Sequence, residues 1–321
     1  MRKIVLILST LSLAIALAAC STSPGTLAPE EMAVTPESTR AETLQPSETP
    51  FQPGSTPTVA PAPSEVPTLL ALAPGEWQKE PVIPAALSER TIKIYRKGLE
   101  LGNNPSAFSK VGDCETSAEW FLGDFDKKAE MYSLGPYTDL QAVIAEFQGS
   151  FNRRSLAAER SFTTASVLSP LWSNPEKCQS GDTPLECEYR LHKPAYAFIM
   201  LGTNEALSPI RTFESNMRRI LDTTIDKGIV PILTTKADDL EGNGAVNEVI
   251  VKLAREYDIP LWNYWAAVQP LPGGGLQEDR AHLTYAGNRF DDPFAMQKAW
   301  PVRNLTALQV LDRVWRSTSG Q

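Results

Sequence analysis

Residues 195–201 read Ala-Tyr-Ala-Phe-Ile-Met-Leu and stop at Gly202. A seven-residue run this apolar, ended by glycine, reads as a strand covered on both faces, which is the habit of parallel sheets. Residues 229–235 repeat the pattern, 259–262 give a shorter version, and 107–111 form a candidate first strand. Between them lie helical periods over 209–227, closed by Gly228, and over 245–257. Strands that alternate with helices at this spacing predict an α/β fold, a three-layer α/β/α sandwich around a mainly parallel sheet. Further helices are expected over 85–101, 117–122, 139–147 and 305–317, with a strand or loop over 149–155 and helix then loop over 157–168. There are no internal repeats. In such sheets the functional site lies outside the carboxyl ends of the strands, and Cys114 and Asn204 both fall just past such ends.

The amino-terminal quarter belongs to no fold. Residues 1–20 carry Arg2 and Lys3, then an apolar stretch over 4–16 that is short for a membrane span. Leu17-Ala18-Ala19-Cys20 resembles the bacterial lipoprotein box. That resemblance implies cleavage before Cys20, a lipid on its sulfur, and a protein of the cell envelope held on the outer face of a bacterial membrane. Residues 21–75 are rich in Pro, Ser and Thr with Arg40 as the sole basic residue, the composition of a solvated tether. Residues 76–321 suffice for one domain. The net charge of −8 and the lack of a basic stripe argue against a nucleic-acid partner.

The chain has four cysteines. In an exported protein Cys178 and Cys187, nine residues apart in a polar loop, are expected to form a local disulfide. Metal binding there is not expected, because only His192 is near. Cys114 is then the odd thiol. Acyl transfer needs a nucleophile, a base, a group that orients the base and donors for an oxyanion. Cys114 is the candidate nucleophile. Of the two histidines, His192 precedes a strand, at the wrong end of the sheet. His282 follows the last strand and is the candidate base, with Asp279 three residues earlier to fix its tautomer. Asn204 offers an amide donor for the oxyanion beside the backbone N–H of Cys114. A thiol next to His282 at a helix start is expected to have a lowered pKa.

The order Gly112-Asp113-Cys114, Gly202-Thr203-Asn204-Glu205 and Asp279-Arg280-Ala281-His282 resembles the SGNH (GDSL-type) hydrolase superfamily over about 108–283. The resemblance implies a flavodoxin-like sheet and hydrolysis of acyl esters, often acetyl groups on carbohydrate, without a cofactor. The expected ligand is therefore a small-molecule or carbohydrate ester. Two departures stand out. Cys114 replaces the family's serine, which leaves two readings open, a working thiol or a degenerate site that only binds. The glycine of the family's second block is matched by Gly149, unless Ser155 fills that place. Gly112, Asp113 and Gly202 are expected to shape the turns. Residues 236–239, past a strand end, are expected to line the cleft or to form a solvated loop, 262–265 in core and rim or in a sugar-stacking surface, and Gly273-Gly274-Gly275 as a hinge.

Overall fold

The structure, a computed structural model, describes residues 72–117 and 119–320. The signal segment, the lipidation site Cys20 and nearly all of the tether lie outside these residues. In chain order the elements are α1 (Glu89–Glu100), β1 (Asn104–Gly112), α2 (Cys114–Ser117), β2 (Tyr132–Ser133), α3 (Gln141–Glu146), α4 (Thr164–Val167), α5 (Pro184–His192) and β3 (Pro194–Met200). There follow α6 (Ile210–Asp226), β4 (Val230–Thr234), α7 (Ala245–Tyr257), β5 (Leu261–Trp262), α8 (Tyr264–Val268), β6 (Asn288–Arg289) and α9 (Ala299–Ser319).

Among the described residues, four parallel strands run in the order β1-β3-β4-β5, and β2 pairs with β6 in a separate ribbon. A parallel bridge from Gly112 to Ala158 adds a vestigial neighbour on the outer edge of β1. Gly112 N–H donates to Ala157 O at 3.0 Å, and Glu159 N–H to Gly112 O at 3.2 Å. With this stub counted as second in the chain, the spatial order is 2-1-3-4-5, the flavodoxin-like order.

Every residue of β3 is buried, because helices cover both faces. On one face Tyr196 stacks on Tyr95 of α1 at 5.7 Å and bonds Thr318 of α9 through its hydroxyl at 2.8 Å. Phe198 meets Phe108 at 5.5 Å and Trp262 at 5.9 Å on the same face. On the other face Ser109 of β1 donates to Glu188 of α5 at 2.6 Å, and the Tyr189 and Thr224 hydroxyls join α5 to α6 at 3.0 Å. Each large side chain buried in these layers contributes roughly 1.5–3 kcal/mol.

Helix α7 has the expected bounds, and α1, α6, β3 and β4 lie within a few residues of theirs. The Cys178–Cys187 disulfide is present, with Cα atoms 5.3 Å apart. Four expectations need correction. Where a helix over 117–122 was expected, α2 ends at Ser117 and Leu122 turns at φ 65°. The side chain of Asn304 on α9 takes the backbone there, accepting from Leu122 N–H at 2.9 Å and donating to Trp120 O at 2.7 Å. Residues 157–168 run loop first, then α4, which Thr163 caps. The polar loop around Cys187 conceals α5, opened by Pro184 and a Thr183–Glu186 capping box. Helix α9 starts at Ala299, not 305, with Pro301 in its first turn. Residues 149–155 are a loop, one of the two forms expected.

Lys110 of β1 is buried at 5% exposure. Its Nζ donates to Phe121 O at 3.0 Å and Phe151 O at 2.7 Å, tying two loops to the strand. Burial, helped by the nearby positive charge of Arg153, holds the amine down at about 7. A folded pKa below the unfolded one makes the charged form a penalty, fully present below pH 7 and relieved as pH rises toward the unfolded value. Urea unfolding between pH 7 and 9.5 should show stability rising more steeply in the wild type than in Lys110→Met, by up to about 1.4 kcal/mol per pH unit. Equal slopes would show that Lys110 keeps its ordinary pKa in the fold and stays charged there.

Candidate active site

Strand β1 ends where it can pass β3 only without a side chain. A Cβ on Gly112 would lie 2.4 Å from Met200 O and 2.4 Å from Thr116 Oγ1. Asp113, 3% exposed, then makes the turn. Its Oδ1 accepts from Glu115 N–H at 3.1 Å, and its carbonyl accepts from Thr116 N–H at 3.0 Å. Cys114 follows as the first residue of α2, half-buried. Burial raises the Asp113 carboxyl to about 7, against the pull of Arg303.

The expected low thiol pKa is overturned. Burial first, and the carboxylates of Asp113 and Glu115 next, push Cys114 up to about 12. A four-residue helix supplies little dipole, and two flanking acids outweigh the single cation near the sulfur.

The second turn leaves β3 through Gly202, at φ 136°, where a Cβ would meet Val246 Cγ1 at 2.6 Å. Asn204 donates from Nδ2 to Arg160 O at 3.1 Å and to Phe162 O at 2.9 Å. Both amide protons therefore hold the 160–162 loop. Glu205 is buried and accepts from Thr164 N–H. Residues 236–239 do not form the solvated loop that was expected. Lys236 is buried, ion-paired with Asp238 and with Glu241, each at 2.6 Å. Asn247 brackets its backbone, and Asp238 also accepts from Thr203 Oγ1 at 2.8 Å. Trp262 and Tyr264 are core, at 0% and 1% exposure, and so present no sugar-stacking surface.

The third turn carries the candidate base. Asp279 Oδ1 accepts from the N–H groups of Ala281 and His282, each at 3.0 Å, and Oδ2 lies 2.6 Å from His282 Nδ1. These bonds hold the Asp279 carboxyl down at about 2 and raise His282 above its usual value. The loop is closed by the Leu276–Leu283 bridge and by Gln277 N–H donating to His282 O at 2.8 Å. The Gly273-Gly274-Gly275 turn is pinned, because Gly275 O accepts from both the N–H and the hydroxyl of Thr284.

Cys114, Asn204 and His282 line a single cleft of about 850 Å³, with Trp120, Arg160 and Trp300 among its walls. His192 ends α5 just before β3 and faces Glu188 at 3.7 Å, outside the cleft. Gly149 also lies outside the cleft lining, and its N–H is spent on Asp126 Oδ1 at 2.7 Å, so it is no oxyanion donor here. Its rival Ser155 is buried, donating to Lys110 O at 2.6 Å. From this region Asn152, Arg153 and Arg154, and beyond the vestigial strand Glu159 and Arg160, line the cleft. Sequence reasoning missed Lys110, Arg160 and the Glu115–Arg303 pair. Glu115 adjoins the nucleophile turn, but nothing in the sequence links it to a residue 188 positions away. Among the described residues, no group of three or more His, Cys, Asp or Glu side chains could hold a metal ion.

No family model and no curated protein matches the sequence. Among solved structures the chain is similar to a putative lipolytic protein of the G-D-S-L family from Desulfitobacterium hafniense, at 14% identity and TM-score 0.39, over 64% of this chain and 99% of the other. It is also similar to the psychrotrophic esterase EstA from a Pseudoalteromonas species, at 13% identity and TM-score 0.41, over 65% and 97%. A third is TesA, at 18% identity and TM-score 0.41, over 65% and 99%. At TM-scores below 0.5 these likenesses carry no weight for function, which rests on the side chains of this chain.

Asp113→Asn keeps the turn's acceptor and deletes one of the charges that raise the thiol. Its Cys114 alkylation profile with iodoacetamide should move to lower pH, with about tenfold more thiolate at a fixed pH for every pH unit the profile moves. The Asp113 pKa is raised on folding, so the acid stabilises at low pH and that stability is lost as pH rises through about 7. The variant should therefore unfold at higher urea than wild type at pH 8. An unmoved alkylation profile would remove the Asp113 charge from the causes and leave burial and Glu115.

Proposed function

We propose that the chain is an SGNH-type hydrolase of ester or thioester bonds, acting through Cys114, His282 and Asp279. We further propose that it is carried by a lipid on Cys20 and the 21–75 tether on the outer face of a bacterial membrane. Acetyl esters of cell-envelope or environmental carbohydrate are the first substrate class to try. The observation that supports the chemistry is the Asp279–His282 bond of 2.6 Å, on a base that shares one cleft with Cys114.

Nδ1–H donates to Asp279, which leaves Nε2 as the acceptor. With the resting thiol at about 12, no thiolate–imidazolium pair is stored. Nε2 takes the Sγ proton as sulfur attacks the acyl carbon, and the leaving alkoxide or thiolate then receives that proton. A water, deprotonated by the same nitrogen, attacks the thioester; the acid departs and sulfur regains its proton. Asn204 serves the oxyanion by exchanging its bond to Arg160 O for one to the substrate. A second reading, a degenerate binder of an acylated or glycan ligand, is favoured by the high thiol pKa and by the engaged Asn204 amide.

Turnover of p-nitrophenyl acetate and of a thioester probe separates the two. Under the first reading Cys114→Ala and His282→Ala each lower kcat by about 10³-fold or more. The acid limb of the rate lies above 6.5, because Asp279 raises the base that must be neutral. An inactive wild type whose Cys114→Ser variant gains turnover supports the second reading, and unchanged rates in both alanine variants sink the triad. For the anchor, palmitate fed to expressing cells should label the protein and fail to label Cys20→Ser. Label retained on the serine variant would place the lipid elsewhere.

A further inference from the structure

Arg303 of α9 is a charged group at 1% exposure. Its guanidinium lies over three rings, Phe121 at 4.6 Å, Trp300 at 5.2 Å and Tyr264 at 5.4 Å. Nη2 reaches Met200 Sδ at 2.9 Å, and Nη1 reaches Glu115 Oε2 at 3.3 Å. Glu115 follows Cys114 directly. Its carboxylate also lies near the N–H of Leu283, the residue after His282, which favours the charged form. Glu115 and Leu283 both line the main cleft and a smaller cavity behind it, which Asp113, Ala281 and Arg303 also line. The neighbours of the candidate nucleophile and of the candidate base thus meet at one carboxylate.

A guanidinium among three rings is expensive to desolvate, and an apolar side chain of like volume would fill that space at less cost. Of the carboxylates near it, Glu115 is the one that Arg303 pairs with directly. We propose that Arg303 is a positioning residue: it fixes Glu115, and Glu115 pins the Cys114 helix to the His282 loop. The catalytic part of this rests on the hydrolase reading above; the structural part does not. The charged and titratable groups around Glu115 are Arg303, His282, Asp238, Asp113 and Cys114.

The full chain is compared with Glu115→Gln, Arg303→Met and the double variant, with Arg303→Lys as a charge-keeping control that lacks the planar fork. Charge and position predict different signs. Glu115 raises the thiol pKa and Arg303 lowers it, so Cys114 alkylation should speed up in Glu115→Gln and slow in Arg303→Met. Positioning predicts one sign for both. Hydrogen exchange at the Leu283 amide rises in each single variant and no further in the double. The kcat for p-nitrophenyl acetate falls about tenfold or more in each, at nearly constant KM. A kcat that tracks alkylation, up in one variant and down in the other, overturns the proposal, as does Leu283 exchange unchanged in both. Should the wild type turn over no ester, the hydrolase reading fails, and exchange alone still decides the clamp. Glu115→Gln keeps the side-chain shape, so it decides the matter where Arg303→Met does not fold.

Discussion

The site depends on how closely β1 and β3 approach at their carboxyl ends. Gly112 sits against the Met200 carbonyl with no room for a methyl group. That contact lets the chain turn at once through Asp113, so Cys114 emerges beside the strand end from which Gly202 and Asn204 also leave. The same glycine bonds the vestigial neighbour at Ala157 and Glu159, which carries Arg160 to the cleft. A side chain at position 112 would push the Cys114 turn away from the end of β3. The constraint is steric and local, and its consequence is the assembly of parts far apart in the chain.

The electrostatics of the site run against a ready thiolate. Asp113 and Glu115 flank the sulfur, and both carboxyls are themselves raised by burial. Such a cluster of acids keeps the sulfur protonated at rest. The Asp279–His282 pair is different in kind. It is exposed, its geometry comes from three hydrogen bonds within four residues, and its polarity follows from the short contact alone. His282 is thus oriented before any ligand arrives, while the Cys114 sulfur keeps its proton at rest.

What the sequence made legible follows from the range of each interaction. The apolar runs at 195–201 and 229–235 declare a buried parallel sheet because burial on both faces leaves no alternation to misread. Asp279 and His282 could be paired from sequence because they are three residues apart. Gly149 misled because the true neighbour of β1 is a single bridge at Ala158, too short to carry a strand's pattern. The helix expected over 117–122 failed because Asn304, far along the chain, captures the backbone of Trp120 and Leu122. Residues 236–239 look solvated by composition, but Lys236 brings its own counter-charges inside with it. In each failure beyond the first strand's short neighbour, a partner interaction overrode a local preference.

Three buried cations, Lys110 in the cleft wall and Lys236 and Arg303 in the smaller cavity behind it, are each neutralised differently. Lys110 has two carbonyls and a depressed pKa, Lys236 has two carboxylates, and Arg303 has rings and one carboxylate. A fold needs none of them for its core, since apolar side chains fill such space at less cost. Lys110 fastens the loops at Phe121 and Phe151, Lys236 the segment that receives Thr203 through Asp238, and Arg303 the helix of Cys114. Each cation thus fastens a different segment around the site. An apolar replacement would conserve the packing and release the segment, so the rigidity of this site is electrostatic where the rigidity of the sheet is steric.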